Sequence, residues 1–159
     1  RSRTKFEDRS PINTDWRLGT FQQGDASHAA HALIAARKAS ASWSRTPWRQ
    51  RVRLLRKAAR QIDQRIYEIA AVLSLEVGKN RMEALADIAE TAALIRYACD
   101  QMEANDGFHV QMGVDPLKGY RSRNVSILRP YGVWVVISPF NFPAALIALL
   151  TMARGIVIL

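Results

Sequence analysis

The chain has 159 residues, of which 48% are hydrophobic and 23% are charged, and these ordinary globular values exclude a wholly disordered chain. A single cysteine excludes a disulfide framework and a cysteine-rich zinc site within the sequence. The net charge of +9, from 23 basic and 14 acidic residues, makes an anionic partner such as nucleic acid a hypothesis to test.

The charge is divided between two neighbouring stretches of opposite sign. Residues 43–66 contain eight basic residues and one acid, a net of +7, whereas residues 67–107 contain eight acids and three basic residues, a net of −5. Helices of opposite charge can compensate each other without an external polyanion. We therefore expect no nucleic acid to bind, and the alternative is a basic nucleic-acid-binding module built on residues 49–65.

Two features of the sequence concern the cellular location of the protein. The opening residues, RSRTKFEDRS, are charged and lack the apolar core of a signal peptide, so we expect a cytoplasmic protein. Residues 130–153 carry no charge and are long enough to cross a bilayer. However, prolines and polar residues at positions 138–143 would leave backbone groups without partners in lipid, and we predict no membrane span.

The first part of the chain divides into an extended arm at 1–24 and a helical region at 25–120. Asp25 or Ser27 can cap a first helix that ends near residue 43. The pair Thr46-Pro47, a hydroxyl cap followed by proline at the first helical position, predicts the start of a second helix. This helix should run on to Gly78, a residue suited to a left-handed cap.

A third helix is predicted after Asn80, because Asn80 with Glu83 is typical of a capping box. One ridge of this helix is acidic and another is apolar. The apolar ridge consists of Leu85, Ile88, Ala92, Ile95, Cys99 and Met102, and the acidic ridge of Glu83, Asp87 and Glu90. Cys99 is therefore predicted to be a small buried hydrophobe. His28 and His31 lack a third ligand, so no metal site is predicted.

Strands replace helices in residues 121–159. The alternation around Val125 and Ile127 predicts a half-exposed strand. The continuous apolar run at 132–137 is typical of a strand that is buried on both faces of a parallel sheet. A turn at 138–143 and an apolar helix from Pro143 follow it. The order of helices, buried strand, turn and helix predicts an α/β protein and the first βα unit of its sheet.

Asn141 is the candidate catalytic residue of this turn. Ligands of open parallel sheets collect where strands end and the next helices begin. An amide on a rigid turn can stabilise an oxyanion that forms on a carbonyl substrate. Alternatively, Asn141 satisfies only the backbone of its own turn, and spacing favours neither interpretation.

Residues 129–143, RPYGVWVVISPFNFP, closely resemble the beginning of the cofactor domain in the aldehyde dehydrogenase superfamily. Upstream, Ala41-Ser42-Trp43 and Arg49-Gln50-Arg51 resemble the early helices of that family. The segments EVGKN at 76–80 and ADIAE at 86–90 are most similar to the L-glutamate γ-semialdehyde (1-pyrroline-5-carboxylate) dehydrogenase branch. The resemblance implies an incomplete α/β fold, a helical N-terminal part followed by the first strand-turn-helix of a doubly wound dinucleotide-binding sheet.

The resemblance also implies an activity and site residues. A family member would oxidise an aldehyde, here glutamate γ-semialdehyde in proline degradation, to a carboxylate with NAD or, as the alternative, NADP. Asn141 matches the amide that stabilises the substrate oxygen, Phe142 an aromatic beside the aldehyde channel, and Glu90 an acid that reaches the substrate's amino group. The residues that match the cofactor-binding segment are Ile137, Ser138, Pro139 and Phe140. For Glu90, a solvated helix face shared with Glu83 and Asp87 is the alternative.

The chain also departs from the family pattern. The family's nucleophilic cysteine and general-base glutamate lie further along the sequence, and Cys99 does not match that cysteine. Residues 149–156 lack the family's pattern of glycines and small residues. We therefore expect an N-terminal fragment that is inactive alone, from an enzyme that forms homo-oligomers. The other alternative is a non-catalytic fragment that pairs with a complete dehydrogenase chain.

Overall fold

The computed structural model describes residues 4–128 and 132–148, in which short strands flank a helical middle part. The elements in chain order are β1 (Lys5–Arg9), β2 (Arg17–Gln22), α1 (Ala26–Trp43), α2 (Trp48–Gln64), α3 (Ile66–Val77), α4 (Arg81–Ala104), a 3-10 turn (Asp106–Phe108), β3 (His109–Gln111) and β4 (Val125–Ile127). A further helix begins at residues 145–148. Residues 129–131 of the family-like run, and residues 149–156, lie outside the described residues.

The N-terminal residues form an antiparallel ribbon in which β1 pairs with β2. The rings of Phe6 and Phe21 face each other across the ribbon, with their centroids 5.8 Å apart. Ser10 follows β1 and is fully buried. Its hydroxyl donates a hydrogen bond of 2.6 Å to the carbonyl oxygen of Leu75, which attaches the ribbon to α3.

The first helix begins where the sequence predicts. The Asp25 side chain accepts hydrogen bonds from the backbone N–H groups of Ser27 and His28, and the His28 ring bonds back to the Asp25 N–H, so a complete capping box opens α1. None of the residues of α1 is buried against the rest of the described chain. The apolar residues of this helix therefore remain available for contacts beyond the described residues.

The start of α2 differs from the prediction in one respect. Pro47, not Thr46, occupies the cap position, and no side chain caps the helix. Thr46 belongs to the turn that ends α1, because its N–H donates to the Trp43 carbonyl and its hydroxyl to the Ser42 carbonyl. The predicted second helix is also divided at Arg65, whose φ of −115° and ψ of 19° separate α2 from α3.

The predicted helix ends on either side of residues 78–80 are confirmed. Gly78 adopts the left-handed conformation with φ 76° and closes α3. Asn80 accepts a hydrogen bond from the Glu83 N–H and opens α4. These two caps turn the chain sharply and lay α4 against α3, so that residues from both helices can meet at the turn.

The core lies between α4 and the pair α2 and α3. The apolar ridge predicted for α4 is confirmed, because Leu85 is partly buried and the other five members are fully buried. One cluster joins α2 to the second half of α4 through Val52, Ala59, Ala92, Ile95, Cys99 and Met102. Another joins α3 to the first half through Ala70, Leu73, Ala84 and Ile88. Burial of Cys99 confirms its structural interpretation.

Basic residues of α2 pair with acids of α4 and of the 3-10 turn that follows it. Arg49 pairs with Asp106 at 2.9 Å, and Arg56 pairs with both Asp100 and Glu103. Such partly exposed pairs contribute about 0–1 kcal/mol each, so they orient the helices more than they stabilise them. The charge compensation inferred from the sequence is therefore present, whereas the absence of nucleic-acid binding stays a prediction.

Of the two strands predicted for the C-terminal part, the described residues form one. The strand around Val125 and Ile127 is confirmed as β4, which pairs antiparallel with β3. Residues 132–139 belong to no strand, and Val135 and Ile137 are 79% and 84% exposed. A buried parallel strand needs a neighbouring strand, and the sheets of the described residues do not include this segment. Within the described ranges, no helix has the length and apolar character needed to cross a membrane.

Candidate active site

A cleft of about 630 Å³ lies between the α3–α4 turn and the turn at residues 140–142. One wall is formed by the α3–α4 turn and α4, including Lys79, Asp87 and Glu90. Phe140, Asn141 and Phe142 form the opposite wall. The fold thus brings together, in one concave site, residues that are far apart in the sequence.

The turn carrying Asn141 is formed by backbone contacts. The Phe142 N–H donates to the Pro139 carbonyl at 3.3 Å, and the chain then enters the last helix, where the Ala148 N–H donates to Ala144. Asn141 is exposed in this turn, and its amide makes no hydrogen bond to another described residue. Within the part of the chain that the structure describes, the turn does not depend on the Asn141 side chain.

A buried ion pair lies in the first wall of the cleft, and each of its members contacts the segment that carries the opposite wall. Lys79 Nζ lies 2.9 Å from Asp87 Oδ2, and the side chains are 10% and 0% exposed. The second carboxylate oxygen, Asp87 Oδ1, accepts a 2.9 Å hydrogen bond from the backbone N–H of Ala145. Lys79 Nζ also lies 3.7 Å from the centroid of the Phe142 ring, within the range of a cation–π contact. Both carboxylate oxygens are therefore paired, as burial of a charge requires.

The sequence patterns do not predict Asp87 or Lys79 as site residues. The prediction that Asp87 belongs to a solvated acidic ridge is wrong, because the Asp87 side chain is fully buried. A signal for Asp87 was present, because Ala84, Asp87, Ile88 and Thr91 follow the spacing of the buried stripe of α4. An acid in such a stripe indicates a buried partner. Lys79 gave no comparable signal, since its partner lies on the next helix and only the Gly78 turn brings the two together.

Some of the other predicted site residues line the cleft, and the rest lie on the segment that precedes it in the chain. Glu90 is exposed on α4, nearly one turn beyond Asp87, and contributes to the cleft. Phe142 is 40% exposed at the same cleft. Ile137, Ser138 and Pro139 lie on the segment that leads to the turn, and the cleft walls do not include them.

Cys99 and His28 serve structural roles. Cys99 is fully buried away from the cleft, and burial raises the pKa of its thiol above the ordinary value of 9.0. A buried, protonated thiol is a poor nucleophile. His28 is part of the capping box of α1. Among residues 4–128 and 132–148, no group of three or more His, Cys, Asp or Glu side chains could hold a metal ion.

Comparisons with known proteins identify relatives of the chain. The sequence profile of the aldehyde dehydrogenase family matches residues 1–156. The 3,6-anhydro-alpha-L-galactose dehydrogenase of Vibrio sp. (strain EJY3) is 36% identical over 135 residues, which are 84% of this chain and 27% of that enzyme. The 1-pyrroline-5-carboxylate dehydrogenase of Geobacillus thermodenitrificans (strain NG80-2) is 36% identical over 145 residues, 91% of this chain and 27% of that one.

A solved structure supports the same relationship at the level of the fold. The 1-pyrroline-5-carboxylate dehydrogenase from Thermus with bound NAD matches with a TM-score of 0.84 and 32% identity, over 98% of this chain and 30% of that chain. The chain spans about a quarter of the length of the curated relatives, 27% in each case. The predicted fold class, an incomplete N-terminal part of this α/β fold, is confirmed. The chain belongs to the aldehyde dehydrogenase family.

Proposed function

We propose that the chain is the N-terminal part of an enzyme that oxidises glutamate γ-semialdehyde to glutamate in proline degradation, with NAD or, as the alternative, NADP. The observation that carries this proposal is the cleft in which Asn141, Phe142 and Glu90 converge. An amide, an aromatic ring and a carboxylate suit a carbonyl, an alkyl chain and an ammonium group. These are three of the four groups of an amino-acid semialdehyde, whose fourth group is the α-carboxylate.

Asn141 would act on the carbonyl end of the substrate. Its side chain is exposed at the cleft and makes no hydrogen bond to the described residues, so its N–H donors are available to a substrate oxygen. An amide held on a backbone-stabilised turn needs little reorganisation when negative charge develops on that oxygen. This favours the catalytic interpretation of Asn141 over the satisfaction of its own turn.

Glu90 would bind the ammonium end of the substrate. The charge of Asp87 is balanced by Lys79, so the unpaired acids of the α4 wall are Glu83 and Glu90. Of these two, Glu90 is the acid that the family resemblance matches to the substrate's amino group, whereas Glu83 stands at the very start of the helix, where its backbone N–H donates to the Asn80 cap. Phe142, whose ring is held by Lys79, would form an apolar wall for the alkyl chain between the two ends.

The segment before the cleft fits part of a nicotinamide cofactor. Ile137 and Phe140 are each 84% exposed and offer apolar surface that the flat rings of such a cofactor can cover. Ser138 and Pro139 lie between them and would complete the contact. When bound, the cofactor supplies the hydride acceptor for the oxidation.

The remaining features of the proposal concern the whole protein. Cys99 is the only cysteine of the sequence and is buried, so this chain alone has no accessible thiol nucleophile and would be inactive. The missing nucleophile and general base would come from the remainder of a longer chain. We propose a cytoplasmic homo-oligomer for that protein.

Steady-state kinetics with the longest protein that the gene encodes tests this proposal. We expect NADH formation from glutamate γ-semialdehyde, and none from the 159-residue chain alone. Glu90→Gln should raise the KM for this substrate about tenfold or more, because hydrogen bonds to charged groups contribute about 1.5–3 kcal/mol. The same variant should not change the KM for 5-oxopentanoate, which lacks the amino group.

Glu83→Gln is the matched control, since Glu83 is also an exposed acid of α4 at the cleft. Its KM for glutamate γ-semialdehyde should equal that of the wild type. An unchanged KM in Glu90→Gln would remove the substrate assignment. A wild-type protein that oxidises no aldehyde would remove the proposed activity itself.

A further inference from the structure

We propose that Asp87 and Lys79 are positioning residues that hold the turn bearing Asn141 and Phe142 in place against α4. The catalytic consequence of this inference rests on the proposed function, whereas the structural restraint does not. Neither residue touches the reacting groups in this assignment. They act by fixing where Asn141 lies relative to Glu90.

The first restraint is a helix cap supplied by a different helix. Ala145 lies in the first turn of the last helix, where backbone N–H groups have no partner within the helix. Ala145 is 2% exposed, so water cannot satisfy its N–H freely. Asp87 Oδ1 accepts this hydrogen bond at 2.9 Å and places its negative charge at the positive end of the helix.

The second restraint is the ammonium group of Lys79. It neutralises the buried Asp87 carboxylate at 2.9 Å and contacts the Phe142 ring at 3.7 Å from the ring centroid. The Lys79 backbone is held in turn, because the Ser74 hydroxyl donates a 2.7 Å hydrogen bond to its carbonyl oxygen. Ser74, Lys79 and Asp87 therefore form a continuous connection from α3 to the cleft.

Together the two restraints flank Asn141. Phe142 is held through its ring and Ala145 through its N–H, while Asp87 lies three residues before Glu90 on the same helix. The separation of Asn141 and Glu90 across the cleft is thus set through Asp87. In a site whose substrate must contact both residues, a loose turn would lower the population of the reactive geometry.

Backbone hydrogen exchange, followed by NMR on the 159-residue chain, tests the restraint directly. In Asp87→Ala we expect the Ala145 amide to exchange about tenfold faster or more, since this buried donor loses its partner. The Phe142 amide, which donates to Pro139, should exchange faster because its turn is no longer held against α4. The buried amides of α2 and α4 should keep their protection. Asp100→Ala is the matched control, because Asp100 is an ion-paired aspartate of the same helix but is exposed. A folded Asp87→Ala variant with wild-type exchange at Ala145 would overturn the proposal.

The double variant Lys79→Met with Asp87→Asn keeps the test decisive if Asp87→Ala does not fold. It buries no unpaired charge and keeps an oxygen acceptor for the Ala145 N–H. We expect the Ala145 amide to exchange at nearly the wild-type rate and the Phe142 amide to exchange faster, since the cation–π contact is lost. Loss of the whole fold in this neutral variant, or unchanged exchange at Phe142, would contradict the proposed role.

Steady-state kinetics of the longest encoded protein tests whether the contacts of Asp87 and Lys79 affect catalysis. Asp87→Asn should lower kcat about tenfold or more while the KM for NAD stays within about twofold, and the double variant should recover part of kcat. An unchanged kcat in a variant with faster exchange at residues 142–145 would overturn the positioning role. If the wild-type protein oxidises no aldehyde, the proposed function fails, and the exchange measurements still decide whether the restraint exists.

Discussion

The indole ring of Trp48, at the start of α2, lies directly against Gly107, just beyond the end of α4. A Cβ built on Gly107 would lie 2.4 Å from Trp48 Cδ1 and 2.4 Å from Nε1, and Gly107 has a φ of +73°. The close approach leaves no room for a Cβ, and the left-handed backbone also favours glycine. This contact closes one end of the interface between α2 and α4.

Gly107→Ala should therefore destabilise the protein. The left-handed backbone alone costs about 1–3 kcal/mol for a residue with a Cβ, and displacement of Trp48 adds to it. Urea unfolding followed by tryptophan fluorescence measures the change. Gly113→Ala is the control, because a Cβ there would meet no atom within 4 Å. Equal unfolding midpoints for the two variants would contradict the role of the Trp48 contact.

The interface of α3 and α4 gives a second stability prediction. Ile88 is 1% exposed in the cluster between these helices, whereas Ile34 on α1 is 64% exposed. Ile88→Ala should lower the free energy of unfolding by about 2–5 kcal/mol, because it removes buried methyl groups and leaves a cavity. Ile34→Ala should change it by less than about 0.5 kcal/mol. Urea unfolding of both variants measures this difference, and equal free energies of unfolding would contradict the burial of Ile88 between α3 and α4.

The capping box of α1 should respond to acid. Hydrogen bonds from the Ser27 hydroxyl and then from His28 hold the pKa of Asp25 well below its ordinary value of 3.8. A carboxyl whose folded pKa is lowered stabilises the folded state above its unfolded pKa. That stabilisation is lost as the pH falls through the lower, folded pKa.

We therefore expect the Asp25 carboxyl carbon, followed by NMR, to titrate with a midpoint below 3.8. The Ser27 and His28 amide shifts should titrate with the same midpoint, since both donate to this carboxylate. Asp25→Asn keeps a capping side chain but removes the charge, so these two amides should lose their acid titration. A midpoint at or above the ordinary value would show that the cap does not hold the carboxylate.

The oxyanion role of Asn141 leads to a kinetic prediction. In the longest encoded protein, Asn141→Ala should lower kcat by about 10²–10³, the cost of removing one such donor, with little change in the affinity for NAD. The turn should remain folded, because its hydrogen bond runs between the Phe142 N–H and the Pro139 carbonyl. Unchanged turnover would assign Asn141 to the structure of the turn alone.

Local signals in the sequence were sufficient for the helical framework. Gly78 and Asn80 end and begin helices through their own backbone and side-chain chemistry, so their neighbours in sequence contain the needed information. The buried apolar ridge of α4 could also be predicted from the sequence, because helical periodicity places its members on one face. One exception is Thr46, whose hydroxyl bonds back to Ser42 in α1, a choice that depends on how the preceding helix ends. The other is Arg65, which divides the predicted second helix into α2 and α3.

The run at 132–137 shows the opposite case. Its β-branched, apolar residues have the composition of a buried strand, and the comparison with solved structures supports the same fold. Nevertheless, strand formation depends on a neighbour, and no described residues of this chain supply one. The amino-acid composition of this run favours a β-strand, but whether the strand forms depends on a neighbouring strand that can pair with it.

The sequence by itself determined most of the helical framework, the caps at Asp25, Gly78 and Asn80, the apolar ridge and the family, because these depend on neighbours within a few residues or on a long contiguous match. Only the tertiary structure decided that Asp87 is buried, that Lys79 pairs with it, and that Glu90 and Asn141 face one cleft. The physical reason is the distance along the chain between the partners. The Asp87 carboxylate on α4 and the N–H of Ala145 come into contact only after the helices have packed, so no local sequence pattern predicts their hydrogen bond.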